Sequence, residues 1–476
     1  MSDRGHSGLV VVGGGIAGLT AGLRGAELGL DVTILEQGSE ERYPCNTRLS
    51  GGLLHAAFQD VQRPTEELRA TIQRVTRGAA SMPLVDAVAE DGRRLLAFLR
   101  GQGVLFMRFS PLEQHRWGLA PPRPVAPGID WRGRGPDLML RTLTARLRDK
   151  GGKIVLGARG RRLLLDVHGH CTGVAGEVGG AAREWTAAAV VIADGGFQAN
   201  AELFRRFIGP TPERILQRGA GTSRGDGMQM AIAAGAATNG MSKFYGHLQI
   251  RAALSNDRLW PYPELDSVAT SAIVVGPDGK RIADEGLGGI STANALARLP
   301  DPACATLICT EAIWASAGKL GRLPANPHLE RFGGELIRAG SLAELAVRAR
   351  VNVTGLTATV AGYNAALADG RLAALQPTRS SGKLNALSID APPYIAIPLC
   401  VGITYTTGGI VVDGDGVALR PDGSAIPGLY AAGATVAGLD GCGDDAPVDY
   451  VGGLIKAVFG LRAAEHAARV RATRDA

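Results

Sequence analysis

Apolar and polar positions fall into blocks whose lengths and spacing mark the elements. Val10-Val11-Val12 is a short apolar run, interrupted by Gly13-Gly14-Gly15. Ile16-Ala17-Gly18-Leu19-Thr20-Ala21 then follows with helical spacing, and Asp31-Val32-Thr33-Ile34-Leu35-Glu36 closes a second run on an acid. This order predicts strand, glycine turn, helix and strand. Helical periodicity continues through 64–100, while 109–136, rich in Pro, Gly, Arg and Trp, reads as loop. A helix over 136–150 leads into strands at 154–156, 161–167 and 171–176. Ala187-Ala188-Ala189-Val190-Val191-Ile192 reads as a buried strand that ends in the turn Asp194-Gly195-Gly196.

The pattern changes over 239–395, where strands such as Ser271–Val275 alternate with short helices and a helix over 342–369. After Pro392-Pro393-Tyr394 it returns to strands and glycine turns, ending in a helix from Gly453 to about Ala468. The fold class expected is α/β. A discontinuous nucleotide-binding domain, 1–238 plus 396–476, carries an inserted α+β cap domain, 239–395.

The first block carries chemistry. Gly13 permits the tight turn, Gly15 lets backbone approach a pyrophosphate, and Gly18 lets helix pack on strand. Unpaired N–H groups at the helix start face the phosphates, and Glu36 stands where a carboxylate accepts from a ribose hydroxyl. On this reading a side chain at Gly13 would fill the pyrophosphate site.

Composition narrows the class. At 476 residues the chain is too long for one minimal core. Its net charge of +6 comes from scattered arginines without a basic block, which argues against a nucleic-acid partner. The six cysteines form no CxxC pair and no CxxCH, which argues against a disulfide framework, a zinc ribbon, an iron–sulfur cluster and attached c-type haem, and suggests a reducing cytoplasm. No metal site is expected. The N-terminus runs straight into the first strand, so no signal peptide is expected, and no apolar run is long enough to span a bilayer.

Several segments occur in an order that resembles one group of flavoproteins. They are the N-terminal fingerprint, Ala193-Asp194-Gly195-Gly196-Phe197, Gly225-Asp226-Gly227, Gly279–Glu285, Thr407-Gly408-Gly409 and Ile426–Gly433. Together they resemble the superfamily of soluble fumarate reductases, 3-ketosteroid dehydrogenases and tricarballylate dehydrogenases. The resemblance implies a Rossmann-like FAD-binding domain and FAD held without a covalent link. The cofactor-binding positions it implies begin with Gly13, Gly15, Ile16, Ala17, Gly18, Glu36 and Gln37. Asn46, Thr47, Ser50, Gly51, Gly52, Ala193, Gly195 and Gly196 follow, then Asp226, Gly433, Ala434, Gly453 and Leu454. Asp226 either orders its turn or binds a cofactor hydroxyl.

Departures from the group refine the reading. Glu285 is followed by Gly286-Leu287-Gly288 without the arginine that fumarate reductases use as proton donor. Their histidine pair is replaced by Thr404-Tyr405, and their carboxylate-clamping arginine by Tyr450. The Tyr-x-Gly-Gly end resembles the ketosteroid and tricarballylate branches. Ala434 stands where many relatives hold the ribityl chain with Glu, and Cys45 is the nearest upstream nucleophile for a covalent link.

The reaction implied forms or reduces a C–C double bond beside the carbonyl of a small keto or carboxylic acid, cyclic ones included, with a soluble electron acceptor. Candidate acid–base or carbonyl-polarising groups are Tyr405 and Tyr450, then Tyr245 and His247; Tyr394 is as well explained by packing. Tyrosine serves both jobs when a neighbouring cation lowers its pKa. Arg48, Arg281, Arg379 and the Arg116-Trp117 pair are candidate substrate contacts, while His55, His115, His168, His170, His328 and His466 have no motif support. The competing classes are a fumarate-reductase-like enoate reductase and a flavin-binding protein without turnover.

Overall fold

The computed structural model describes residues 6–321, 323–382, 384–443 and 448–475. Among these, the strands form two principal sheets, one of eight strands and one of six. The larger has at its centre His6–Val12, paired in parallel with Val32–Glu36 on one side and with Ala181–Ile192 on the other. Lys153–Leu156 and Ala425–Ala431 extend it, also in parallel. Leu9, Val10 and Val11 are fully buried, as a central parallel strand covered on both faces must be. The helix Ile16–Glu27 packs against Val458–Asp475 and Gly135–Asp149.

Two glycines fix how that helix begins. A Cβ at Gly18 would stand 1.9 Å from the Gly13 carbonyl oxygen, so the helix rests directly on the turn. Gly13 has φ +106°, and its Cβ would stand 2.5 Å from the carbonyl oxygen of Ala193, where the strand Ala181–Ile192 ends. The turn thus needs glycine for its backbone conformation and for its closeness to the neighbouring strand end. A side chain at Gly13 points into the sheet, which corrects the expectation that it would fill the pyrophosphate site.

The second sheet is organised by one long strand, Tyr394–Thr406. Its first half pairs with Thr306–Thr310 and Ile337–Ala339, its second with Phe244–Ile250 and Ile215–Gln217. The sheet thus draws one strand from before residue 239 and runs on past 395. At its far end the register sets Tyr405 opposite Tyr245. Thr406 Oγ1 there accepts from the Phe197 N–H at 3.0 Å, and Asn46 Nδ2 donates to the Thr404 carbonyl at 2.9 Å. These bonds tie the second sheet to the glycine turns of the first.

Several elements differ from their expected extents. The 64–100 periodicity is two helices, Thr65–Val75 and Met82–Gly101, separated at Arg77 and Gly78, both left-handed. The 342–369 segment is likewise Leu342–Ala349 and Val353–Ala368, broken at left-handed Arg350. Asn352 Oδ1 caps the second helix by accepting from the Gly355 N–H at 2.8 Å. Ser271 ends the helix Asp266–Ser271, so the strand there begins at Ile273. The last helix runs to Asp475, beyond Ala468.

Candidate active site

One continuous cavity of about 690 Å³ is lined both by the N-terminal glycine turn and by an aromatic cluster from the second sheet. Every cofactor position expected from the sequence lines it except Gly18 and Gly196. Gly18 packs on the turn as described. Gly196 stands between the two sheets, where its Cβ would come within 2.2 Å of Thr406 Oγ1.

On the glycine side, Glu36 Oε2 accepts from the Gly14 N–H at 2.9 Å and Oε1 from the Gly38 N–H at 2.7 Å. Burial raises the Glu36 pKa, opposed by those two bonds and by Arg48. Tyr43 donates to the Gly14 carbonyl at 2.7 Å and so braces the turn from behind. Gly15 has no side chain to cap the helix; the Ile16 N–H instead donates to Thr47 Oγ1 at 3.2 Å, and a Cβ at Gly15 would meet only that oxygen, at 3.4 Å. Gln37 Nε2 donates to the Thr222 carbonyl, and Asn46 Oδ1 accepts from the Ala220 N–H, both at 2.9 Å. Asp226 opens the helix Asp226–Ala233 and pairs with Arg159 at 2.6 Å. Cys45 lines the cavity, and burial pushes its thiol up to about 11, so it is protonated at neutral pH.

On the other side, Tyr245, Tyr405, Tyr450 and His247 come together. Tyr245 stacks on Tyr450 with ring centroids 4.1 Å apart, and lies 5.3 Å from Tyr405 and 4.9 Å from His247. The Tyr450 hydroxyl accepts from the Gly453 N–H at 3.1 Å. The Tyr405 hydroxyl is buried and meets no partner among the described residues. His247 Nδ1 is 2.7 Å from Asp266 Oδ2 and 3.5 Å from Glu264 Oε2. Beneath Tyr405 lies a buried ion pair, Lys456 to Asp440 at 2.7 Å, with the ammonium 5.2 Å from the ring centroid.

The tyrosine pKa values move opposite to the expected direction. Burial raises all three, and Asp440 adds to the rise at Tyr405 and Tyr450. The nearby cation does not lower Tyr405, because its charge is already matched by Asp440. These groups are neutral phenols, suited to donating hydrogen bonds.

The candidate arginines are corrected as a group, since none of them lines the cavity. Arg48 is buried in an ion pair with Asp137 and lies over the Tyr43 ring. Arg281 is buried on Glu285 and donates to the Pro377 carbonyl at 2.6 Å, and Arg379 donates to the Thr270 and Ser380 carbonyls. Arg116 and Trp117 both bind Asp60, at 3.0 and 2.8 Å, and order their loop. Tyr394 does not line the cavity either. Arg123, Arg218, Tyr262, Glu264 and Asp266 do line it, and so do His55 and His115. No spacing in the sequence relates these residues to one another or to a motif.

His55 gives a pH-dependent prediction. Burial lowers its pKa from 6.5 to about 4, helped by His115, and its Nδ1 accepts from the Phe58 N–H at 3.2 Å. Between those two values the unfolded chain binds the proton and the folded chain does not. Its contribution is therefore fully present above pH 6.5 and is lost as pH falls toward 4, about 3 kcal/mol in all. The midpoint of thermal unfolding should fall over that window, and His55→Asn should remove this part of the slope.

Residues 8–443 match the FAD binding domain family. The chain belongs to this family. It is a flavoprotein oxidoreductase with FAD as its cofactor. It is similar to 4-oxocyclohexanecarboxylate 2-dehydrogenase of Sinomonas cyclohexanicum, 26% identical, over 91% of this chain and 89% of that one. It is also similar to fumarate reductase (cytochrome) of Shewanella frigidimarina, 24% identical, over 97% of this chain and 77% of that one. Among solved structures, 3-ketosteroid delta1-dehydrogenase from Sterolibacterium denitrificans shares the fold, with a TM-score of 0.71 at 19% identity, covering 98% of this chain and 100% of that one.

The residues present fit FAD. The flavoprotein offers a helix start that opens on the cavity through a glycine N-cap, a Cβ position there that faces open cavity, and a buried carboxylate at the end of the second strand. No helix among the described residues is long and apolar enough to cross a membrane. Nor do they contain a cluster able to hold a metal ion.

Proposed function

We propose that the flavoprotein forms, or in reverse reduces, the C–C double bond beside the carbonyl of a small cyclic keto compound. Tyr405 and Tyr450 polarise the carbonyl, and His247 exchanges the α proton. The observation that carries this reading is the convergence of the tyrosine cluster and the cofactor turn on one cavity. FAD, when bound, takes up or returns the hydride.

The chain's own groups divide the remaining work. Removing a proton next to a carbonyl needs a base in reach and donors on the carbonyl oxygen. Tyr450 already accepts from Gly453, so its own proton is free to point at substrate. Tyr405 has a buried hydroxyl without a partner among the described residues, at a cost of about 1–3 kcal/mol. A substrate carbonyl would relieve that cost. With Nδ1–H donated to Asp266, His247 keeps a lone pair on Nε2, the tautomer of a general base. The walls of Tyr245, Tyr405 and Tyr450 exclude water and suit a flat ring.

The relative named for 4-oxocyclohexanecarboxylate supports a cyclic ketone as substrate, and the fold shared with a 3-ketosteroid dehydrogenase is compatible with it. Residues 239–395 serve as the cap that delivers His247, Tyr262 and Glu264. Six free thiols support a reducing cytoplasm.

The test is flavin reduction by cyclic ketones, set against fumarate. Fumarate should be a poor substrate. Tyr450 stands where a clamping arginine would, and Arg281 is held by Glu285. Loss of a buried ion-paired contact costs about 2–5 kcal/mol, or roughly 30-fold or more. The reduced enzyme should turn over fumarate at least that much more slowly than a cyclic enone; fumarate turnover as fast as the enone's would overturn the assignment.

A further inference from the structure

Four arginines line the cavity, and they are not equivalent; Arg224 is exposed to solvent. Arg159 is matched by Asp226, and Arg218 by Glu264 at 2.5 Å. Arg218 also donates to Thr404 Oγ1 at 2.9 Å. Arg123 differs from both. Its Nη2 donates to the carbonyls of Leu49 and Ser50, at 2.5 and 3.0 Å, but no ion pair among the described residues holds it. Its Nε and Nη1 are buried and meet no acceptor among the described residues. A charged group with unmatched buried N–H groups is expensive to keep unless something else supplies the acceptor.

The position of Arg123 indicates what that acceptor is. Its guanidinium lies 5.9 Å from the Tyr262 ring centroid, and that of Arg218 lies 5.5 Å from the same ring. Tyr262 in turn sits close enough to Tyr245 and Tyr450 to influence both hydroxyls. Arg123 therefore belongs to the aromatic side of the cavity, beside the groups assigned to the carbonyl. Burial lowers its pKa, opposed by Tyr262 and Asp130, and the charge of Arg218 adds to the lowering. An anion at Arg123 would relieve both effects.

We propose that Arg123 is the binding residue for a carboxylate on the substrate, so that the substrate is a cyclic keto acid held at two points. The carboxylate meets the unmatched N–H groups of Arg123 beside Tyr262, and the ketone meets Tyr405 and Tyr450. The ring spans the two and presents its α carbon between them. This rests on the proposed carbonyl chemistry for its second point only. The charged contact to Arg123 stands on its own geometry, and it sets specificity by favouring acids over neutral ketones of the same ring size.

The experiment separates the two points. Cyclohexanecarboxylate has the acid but no ketone, so it reports the Arg123 contact without turnover. Calorimetric titration of the FAD-loaded protein should show it binding roughly 30-fold or more tighter than cyclohexanecarboxamide. Arg123→Gln should abolish that preference while FAD content stays at the wild-type level. Arg123→Lys, which keeps charge but not planar shape, should retain part of it. Equal affinity for acid and amide in the wild type overturns the proposal, as does an unchanged preference in folded Arg123→Gln. Loss of FAD from Arg123→Gln assigns the guanidinium to the cofactor and also overturns it. Acid binding without flavin reduction by any cyclic ketone keeps the carboxylate site and removes the proposed reaction. Flavin reduction by neutral ketones with no acid preference does the reverse.

Discussion

Replacing Gly15 with valine is expected to give a folded protein that no longer retains FAD. Gly15 has φ −71° and ψ −178°, an extended conformation that any residue adopts. Its Cβ would meet only Thr47 Oγ1, at 3.4 Å, and otherwise enters the cavity. The valine methyls would thus occupy space beside the helix start, where a pyrophosphate must approach backbone N–H groups. Gly13→Val is the less informative change. Its side chain collides with the sheet at Ala193, so lost FAD would report only a broken turn. Flavin content after reconstitution with excess FAD, measured beside the thermal unfolding curve, checks the claim. Wild-type flavin content in Gly15→Val would contradict it.

Tyr405→Phe and Tyr450→Phe should slow flavin reduction by roughly 10²–10³-fold with FAD still bound, the usual cost of removing one hydrogen-bond donor from a developing oxyanion. The two variants differ in what else they disturb. The Tyr405 hydroxyl has no partner among the described residues, so removing it leaves nothing unsatisfied and should not destabilise the fold. Removing the Tyr450 hydroxyl strips the acceptor from the Gly453 N–H, at a cost of about 1–3 kcal/mol. Tyr405→Phe is therefore the cleaner probe. Single-turnover rates near wild type in both variants would take carbonyl polarisation away from this pair and move it to Tyr245.

How far this arrangement could be read in the sequence follows from where each interaction lies. The first βαβ unit is local: its turn, helix and acid occupy thirty-odd consecutive residues, and each has a distinct residue type. The buried strand ending at Ile192 is equally legible, as one apolar run. Tyr405 and Tyr450 could be singled out because each lies near glycines in a segment with a family pattern. The arginines could not be ranked, because their fate depends on partners far along the chain. Arg48 is spent on Asp137, and Arg379 on the carbonyl of Thr270. Arg218 and Tyr262 meet because Ile215–Gln217 and Phe244–Ile250 both pair with Tyr394–Thr406, and Arg123 joins them from a loop held to the Leu49 and Ser50 carbonyls. The break in the 342–369 helix was hidden for a different reason. Arg350 adopts the left-handed conformation without glycine, and Asn352 restarts the helix by capping it.

The measurement that reaches the central claim most directly is the spectrum of the FAD-loaded protein mixed anaerobically with 4-oxocyclohexanecarboxylate, and of the photoreduced protein mixed with the corresponding cyclic enone. The account predicts that the oxidised-flavin band bleaches in the first mixture or returns in the second. It also predicts that either change slows by at least about 100-fold in Tyr405→Phe. A flavin band indifferent to both compounds in a protein that has bound FAD would contradict it.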